Sequence, residues 1–94
     1  MELTLSPSYL ASLAQQYGTP LYVYHAETIA EQYKKMTSAF APLNARIFYA
    51  CKALTNIHVL QYIRALGCNI DCSSGNEVML AIHAGFTADK ILYT

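Results

Sequence analysis

Short apolar runs and helix-periodic segments take turns along this chain, and that alternation constrains its fold more than any other feature. The runs are "LYVYH" from Leu21 to His25, "ARIFYACKA" from Ala45 to Ala53, "CNIDCS" from Cys68 to Ser73, and "KILYT" from Lys90 to Thr94. They are rich in β-branched and aromatic residues and read as strands. Between them, apolar residues recur at helical spacing: Ile29, Tyr33, Met36 and Phe40, then Ile57, Leu60, Ile63 and Leu66, then Val78, Ala81 and Ile82. Strands alternating with helices of about three turns mean parallel βα units. The runs are apolar on both faces, as a covered parallel sheet requires.

Punctuation residues place the helix ends. Ser6 caps a first short helix with Pro7 in its first turn, carrying Leu10, Leu13 and Tyr17 and ending at Gly18. Pro42 closes the second helix, on which Glu31 and Lys35 stand one turn apart. Asn56 caps the third, and Gly67 stops it. Ser74 and Glu77 form a capping box for the fourth, which ends at Gly85.

Composition sets this pattern in a larger frame. The 94 residues are 54% hydrophobic and only 13% charged, against roughly 25% charged in an average domain. A small domain has much surface to cover, so this balance marks a piece of a larger body whose faces are covered by further chain or partners. The net charge is zero and the basic residues are scattered, which argues against a nucleic-acid or membrane surface. No apolar run approaches the roughly 20 residues of a membrane span. The opening "MELTLSPSYL" lacks a basic leader segment, so a cytoplasmic location is expected. Cys51, Cys68 and Cys72 are expected to be reduced thiols. The spacing of Cys68 and Cys72, even with His58 and His83, fits no standard zinc pattern, and no metal is expected.

Lys52 is the anomaly. It places an ammonium group at the far end of an otherwise apolar run. Sites in parallel α/β proteins lie at the C-terminal ends of strands. Strand alternation puts Lys52 on the face of Ala50 and Phe48, and Asp71 stands near the end of the next strand, followed by Ser73 and Ser74. Lysine and aspartate on neighbouring strand ends can share one site, as a plain surface ion pair or as a reactive centre. A desolvated lysine amine is a good Schiff-base nucleophile.

The run "YACKALTNIHVLQYIRALG", Tyr49 to Gly67, resembles the pyridoxal-phosphate attachment signature of the ornithine, diaminopimelate and arginine decarboxylase family. Upstream, "YGTPLYVYHAETIAEQY" is similar to the family's opening motif. Downstream, "NIDCSSGNEVMLAIHAGF" is similar to its aspartate-serine-glycine-glutamate segment. The likeness runs from about Tyr17 to Thr94, and its form is nearer the diaminopimelate members than the ornithine ones. His25 departs from the family's usual aspartate, Leu54 from its asparagine, and Asn76 from a second glycine.

The resemblance implies the N-terminal part of a (β/α)8 barrel of the alanine racemase-like type, completed in the family by a β-rich C-terminal domain. A whole barrel needs about 250 residues. Residues 1–94 would supply three barrel strands at most, starting with the one bearing Lys52, while the segment Leu21 to His25 would join the other domain. Such a piece alone is expected to be inactive. Lys52 would carry pyridoxal 5'-phosphate as a Schiff base. Asp71 would lie near that linkage, Ala50 under the ring, and Glu77 close by, although the capping box accounts for Glu77 equally well. The implied reaction is decarboxylation of meso-diaminopimelate to lysine, by a homodimer acting on a small diamino acid. Alternatives are an arginine, ornithine or carboxynorspermidine decarboxylase, an alanine racemase, or a relative that binds the cofactor without turnover.

Overall fold

The computed structural model describes residues 5–94. Helix α1 spans Pro7–Tyr17, with the Ser6 hydroxyl accepting the Tyr9 N–H at its start. Helix α2 spans Ala26–Phe40 and runs into a 3-10 turn at Ala41–Leu43, where Pro42 ends it. Strand β1 is Phe48–Ala50, helix α3 Ile57–Ala65, strand β2 Asn69–Cys72, helix α4 Gly75–Ala84 and strand β3 Ile91–Tyr93. The sheet is parallel, in the order β1-β2-β3. The alternation thus builds successive right-order βα units, as the sequence implies.

Capping falls where the side chains dictate. Asn56 Oδ1 accepts the N–H groups of His58 and Val59 at 3.0 and 3.2 Å. The Ser74 hydroxyl accepts the Glu77 N–H at 3.1 Å. Gly85 ends α4 at φ 101°, a left-handed conformation that favours glycine. Glu31 and Lys35 form the anticipated pair at 3.6 Å.

The core lies between one face of the sheet and the helices. Ile70 and Cys72 of β2 are fully buried, as are Leu60 of α3, Ala81 of α4 and Cys51 just beyond β1. Because side chains alternate, Asn69 and Asp71 point to the opposite face, with their register partners Phe48 and Ala50. Asp71 is half-buried there.

Three expectations change. Residues 21–25 form no strand among the described residues: the segment is irregular and largely exposed, with Tyr22 at 83%. Its aromatic and β-branched composition supplies strand propensity but no ladder partner, and a strand needs both. The second strand is shorter than the apolar run, ending at Ala50, because Cys51–Ala53 wind into a 3-10 turn. Ile82 is 55% exposed, so the buried stripe of α4 runs through Ala81 and Ala84 instead.

Candidate active site

The carboxyl ends of the three strands gather the candidate residues. Lys52 stands in the Cys51–Ala53 turn directly after β1 and is exposed. That turn interrupts strand alternation, so the face expected for Lys52 from Ala50 and Phe48 does not carry over. Two hydrogen bonds tie the turn. The Leu54 N–H donates to Cys51 O at 3.2 Å, and the Tyr49 hydroxyl donates to Leu54 O at 2.9 Å. Burial holds the Tyr49 phenol above its usual range, with the Cys51 thiol adding to that effect. Leu54 packs against the core and anchors the lysine turn by apolar contact.

Ala50 lies directly opposite Asp71 in the parallel register. No ion pair joins Lys52 to Asp71 among the described residues. Asp71 Oδ1 instead accepts a 2.6 Å hydrogen bond from the Thr94 hydroxyl. Lys52 itself makes no hydrogen bond or ion pair among the described residues, leaving its amine uncommitted.

Glu77 performs the capping role, displaced by one residue. Its Oε1 accepts the Ser73 N–H at 2.8 Å, while its own N–H donates to Ser74. The two bonds clamp the Ser73–Ser74 loop that follows β2, and Glu77 is half-buried there.

Behind the site, on the helix-covered face, Cys51 and Cys72 are both fully buried. Burial first, then the Glu77 carboxylate and Cys72, push the Cys51 thiol up to about 11. Burial likewise raises Cys72, with Glu77 and Asp71 contributing. Both are neutral thiols at physiological pH and poor nucleophiles. A thiol whose folded pKa lies above its unfolded value keeps its proton longer when folded, so the unfolded state binds fewer protons at alkaline pH. Stability is therefore expected to hold below about pH 9 and to fall between about pH 9 and 11. Urea midpoints measured across that range check this, and Cys51→Ala should flatten the alkaline decline.

His58 and His83 are exposed on α3 and α4, while the Cys68 thiol donates to Ile47 O. No group of three His, Cys, Asp or Glu side chains suited to a metal occurs among the described residues. No helix among them is long and apolar enough to cross a membrane.

A concavity of about 770 Å³ does not coincide with these strand ends. It runs beside the outer edge of β1, between α2 and α3, and is lined by Ala50 and Leu54 but not by Lys52, Asp71 or Glu77. The strand-end position carries the polar chemistry, whereas the groove is almost wholly apolar, so the two are distinct features. Thr94 belongs to the polar cluster although the sequence reading passed over it. No local sequence pattern marks it, because the contact depends on the β2–β3 register that sets Leu92 opposite Asp71.

The sequence model of the family described as "Pyridoxal-dependent decarboxylase, pyridoxal binding domain" matches residues 26–94. The chain is 45% identical over 84 residues to a diaminopimelate decarboxylase of Methanothermobacter thermautotrophicus, covering 87% of this chain and 20% of that protein. It is 40% identical over 92 residues to the diaminopimelate decarboxylase of Aquifex aeolicus, covering 98% and 21%. The crystal structure of AQ1208 from Aquifex aeolicus superposes with a TM-score of 0.84 at 42% identity, over 89% of this chain and 21% of that one. The chain thus spans about a fifth of the length of these relatives.

Proposed function

The chain belongs to the family of pyridoxal-binding domains of pyridoxal-dependent decarboxylases, and from that membership we propose that it carries the cofactor-attachment end of an enzyme that converts meso-diaminopimelate to lysine and carbon dioxide. The observation that carries the reading is Lys52: an exposed, uncommitted amine in a tied turn at the carboxyl end of a parallel strand. The names of the similar proteins support diaminopimelate as the substrate. Bound pyridoxal phosphate supplies an electron-poor ring that accepts the electron pair left when the α-carboxylate departs.

The chain's own residues have separable tasks. Lys52 Nζ would hold the cofactor covalently and release it to the substrate amine. Ala50, with only a methyl side chain, leaves room for a flat ring above β1. Asp71 presents a carboxylate to the same strand-end space from β2. Glu77 Oε1 accepts the Ser73 N–H and keeps the loop after β2 in place.

In this reading β1, β2 and β3 open a (β/α)8 barrel whose further strands lie in a longer chain acting as a cytoplasmic homodimer. Three features support the barrel: sequential parallel neighbours, helices on one face, and an apolar groove along the outer edge of β1. The segment Leu21 to His25, which has no ladder partner here, remains available to a second domain.

The test is carbon dioxide release by the full-length protein containing this segment, loaded with pyridoxal phosphate and offered meso-diaminopimelate, ornithine or arginine. Turnover is expected with meso-diaminopimelate, with kcat/KM at least about 100-fold above the other two, because each lacks a polar group that the site would pair. Preference for arginine or ornithine would move the assignment to another decarboxylase. Cofactor binding without release from any substrate would make it a binding protein.

A further inference from the structure

We propose that Thr94 is a positioning residue for Asp71. The inference rests on the reading of the strand ends as the cofactor site. The backbone sets up the contact. Asp71 pairs with Leu92 and Cys72 with Tyr93 across β2 and β3, and the Thr94 N–H donates to Cys72 O at 3.0 Å, extending the ladder one residue further. Alternation then brings the Thr94 side chain to the face that bears Leu92 and Asp71, away from the buried Cys72. There its hydroxyl donates to Asp71 Oδ1 at 2.6 Å.

The consequence is directional. A carboxylate on a short side chain has few rotamers, and a fixed donor on one oxygen selects among them. With Oδ1 held by Thr94, Oδ2 has no hydrogen-bond partner among the described residues and is the oxygen left to a ligand at the strand ends. Lys52 does not supply this restraint, since the two side chains form no ion pair. The Asp71 carboxylate is thus oriented by β3, and the strand-end site depends on three strands rather than two. Threonine suits the task because its β-branched side chain has restricted χ1 freedom.

The experiment compares Thr94→Val, which keeps the shape and removes the donor, with Thr94→Ser, which keeps the donor, in the full-length protein. Crystal structures of the two variants read the carboxylate whether or not cofactor is bound. Asp71 should turn in T94V and stay in T94S. In the loaded protein, T94V should lower kcat/KM about tenfold. It should also shift the pH dependence of the bound cofactor's absorption, and T94S should restore both. In an Asp71→Asn background, T94V should add less than about twofold, since the two residues act as one unit. An unmoved Asp71 carboxylate in T94V overturns the inference, as does a T94V effect undiminished in D71N. If the protein binds no cofactor at Lys52, the functional reading fails, and the variant structures still decide whether Thr94 orients Asp71.

Discussion

Lys52→Ala in the full-length protein is expected to abolish covalent cofactor attachment and to lower decarboxylation by at least about a thousandfold, or some 4 kcal/mol of barrier. The size follows from what the amine contributes. In the proposed function it would be the attachment point and the group exchanged for the substrate amine, so no neighbouring side chain would substitute for it. The fold should tolerate the change. Lys52 is exposed, makes no hydrogen bond or ion pair among the described residues, and sits in a turn held by Tyr49 and Leu54 rather than by itself. The urea midpoint of the variant should therefore match that of the parent. Lysine at the same strand end acting only as a solvated charge would give the opposite pattern, with activity nearly unchanged.

Ile70→Ala should produce the largest loss of stability, about 2–5 kcal/mol. Ile70 is fully buried on β2, the central strand, with a neighbour on each side. It lies on the face covered by the helices, so truncation leaves a cavity bounded by ordered backbone that cannot easily collapse. Denaturation of the full-length protein, followed through the urea midpoint at constant slope, measures the loss. Leu92→Ala on β3 makes the contrast: Leu92 is 43% exposed in this chain and should cost much less unless further chain covers that face.

Much of this architecture was legible in the sequence because its signals are local. Ser6, Asn56 and Ser74 cap the helices they were expected to cap, since each hydroxyl or amide oxygen needs only the next turn's N–H groups. The apolar cores of the second and third runs identify β1 and β2 for the same reason. What failed depends on distant partners. The "LYVYH" segment has strand composition, yet nothing in its own residues says whether a ladder partner is present. The end of β1 was misplaced because alternation was carried through Cys51, where a 3-10 turn intervenes. That turn is sealed by the hydrogen bond from Tyr49 to Leu54, a contact five residues apart that no periodicity announces.

The candidate site was legible to the same degree. Lys52 and Asp71 stand out as candidates by their positions near strand ends, and the register sets Ala50, two residues before Lys52, opposite Asp71. Their direct pairing was not realised. The hydrogen bond from Thr94 to Asp71 is not legible because it depends on the register between β2 and β3, which a run of apolar residues does not disclose. Glu77 serves the loop after β2, a role its capping-box spacing did announce.

The most direct test of the central claim is reductive trapping. The full-length protein is mixed with pyridoxal phosphate, reduced with borohydride, digested and mapped by mass spectrometry. A single stoichiometric label is expected on the peptide carrying Lys52. A label spread over Lys34, Lys35 and Lys90, or no label at all, would contradict it and leave Lys52 as an ordinary surface cation.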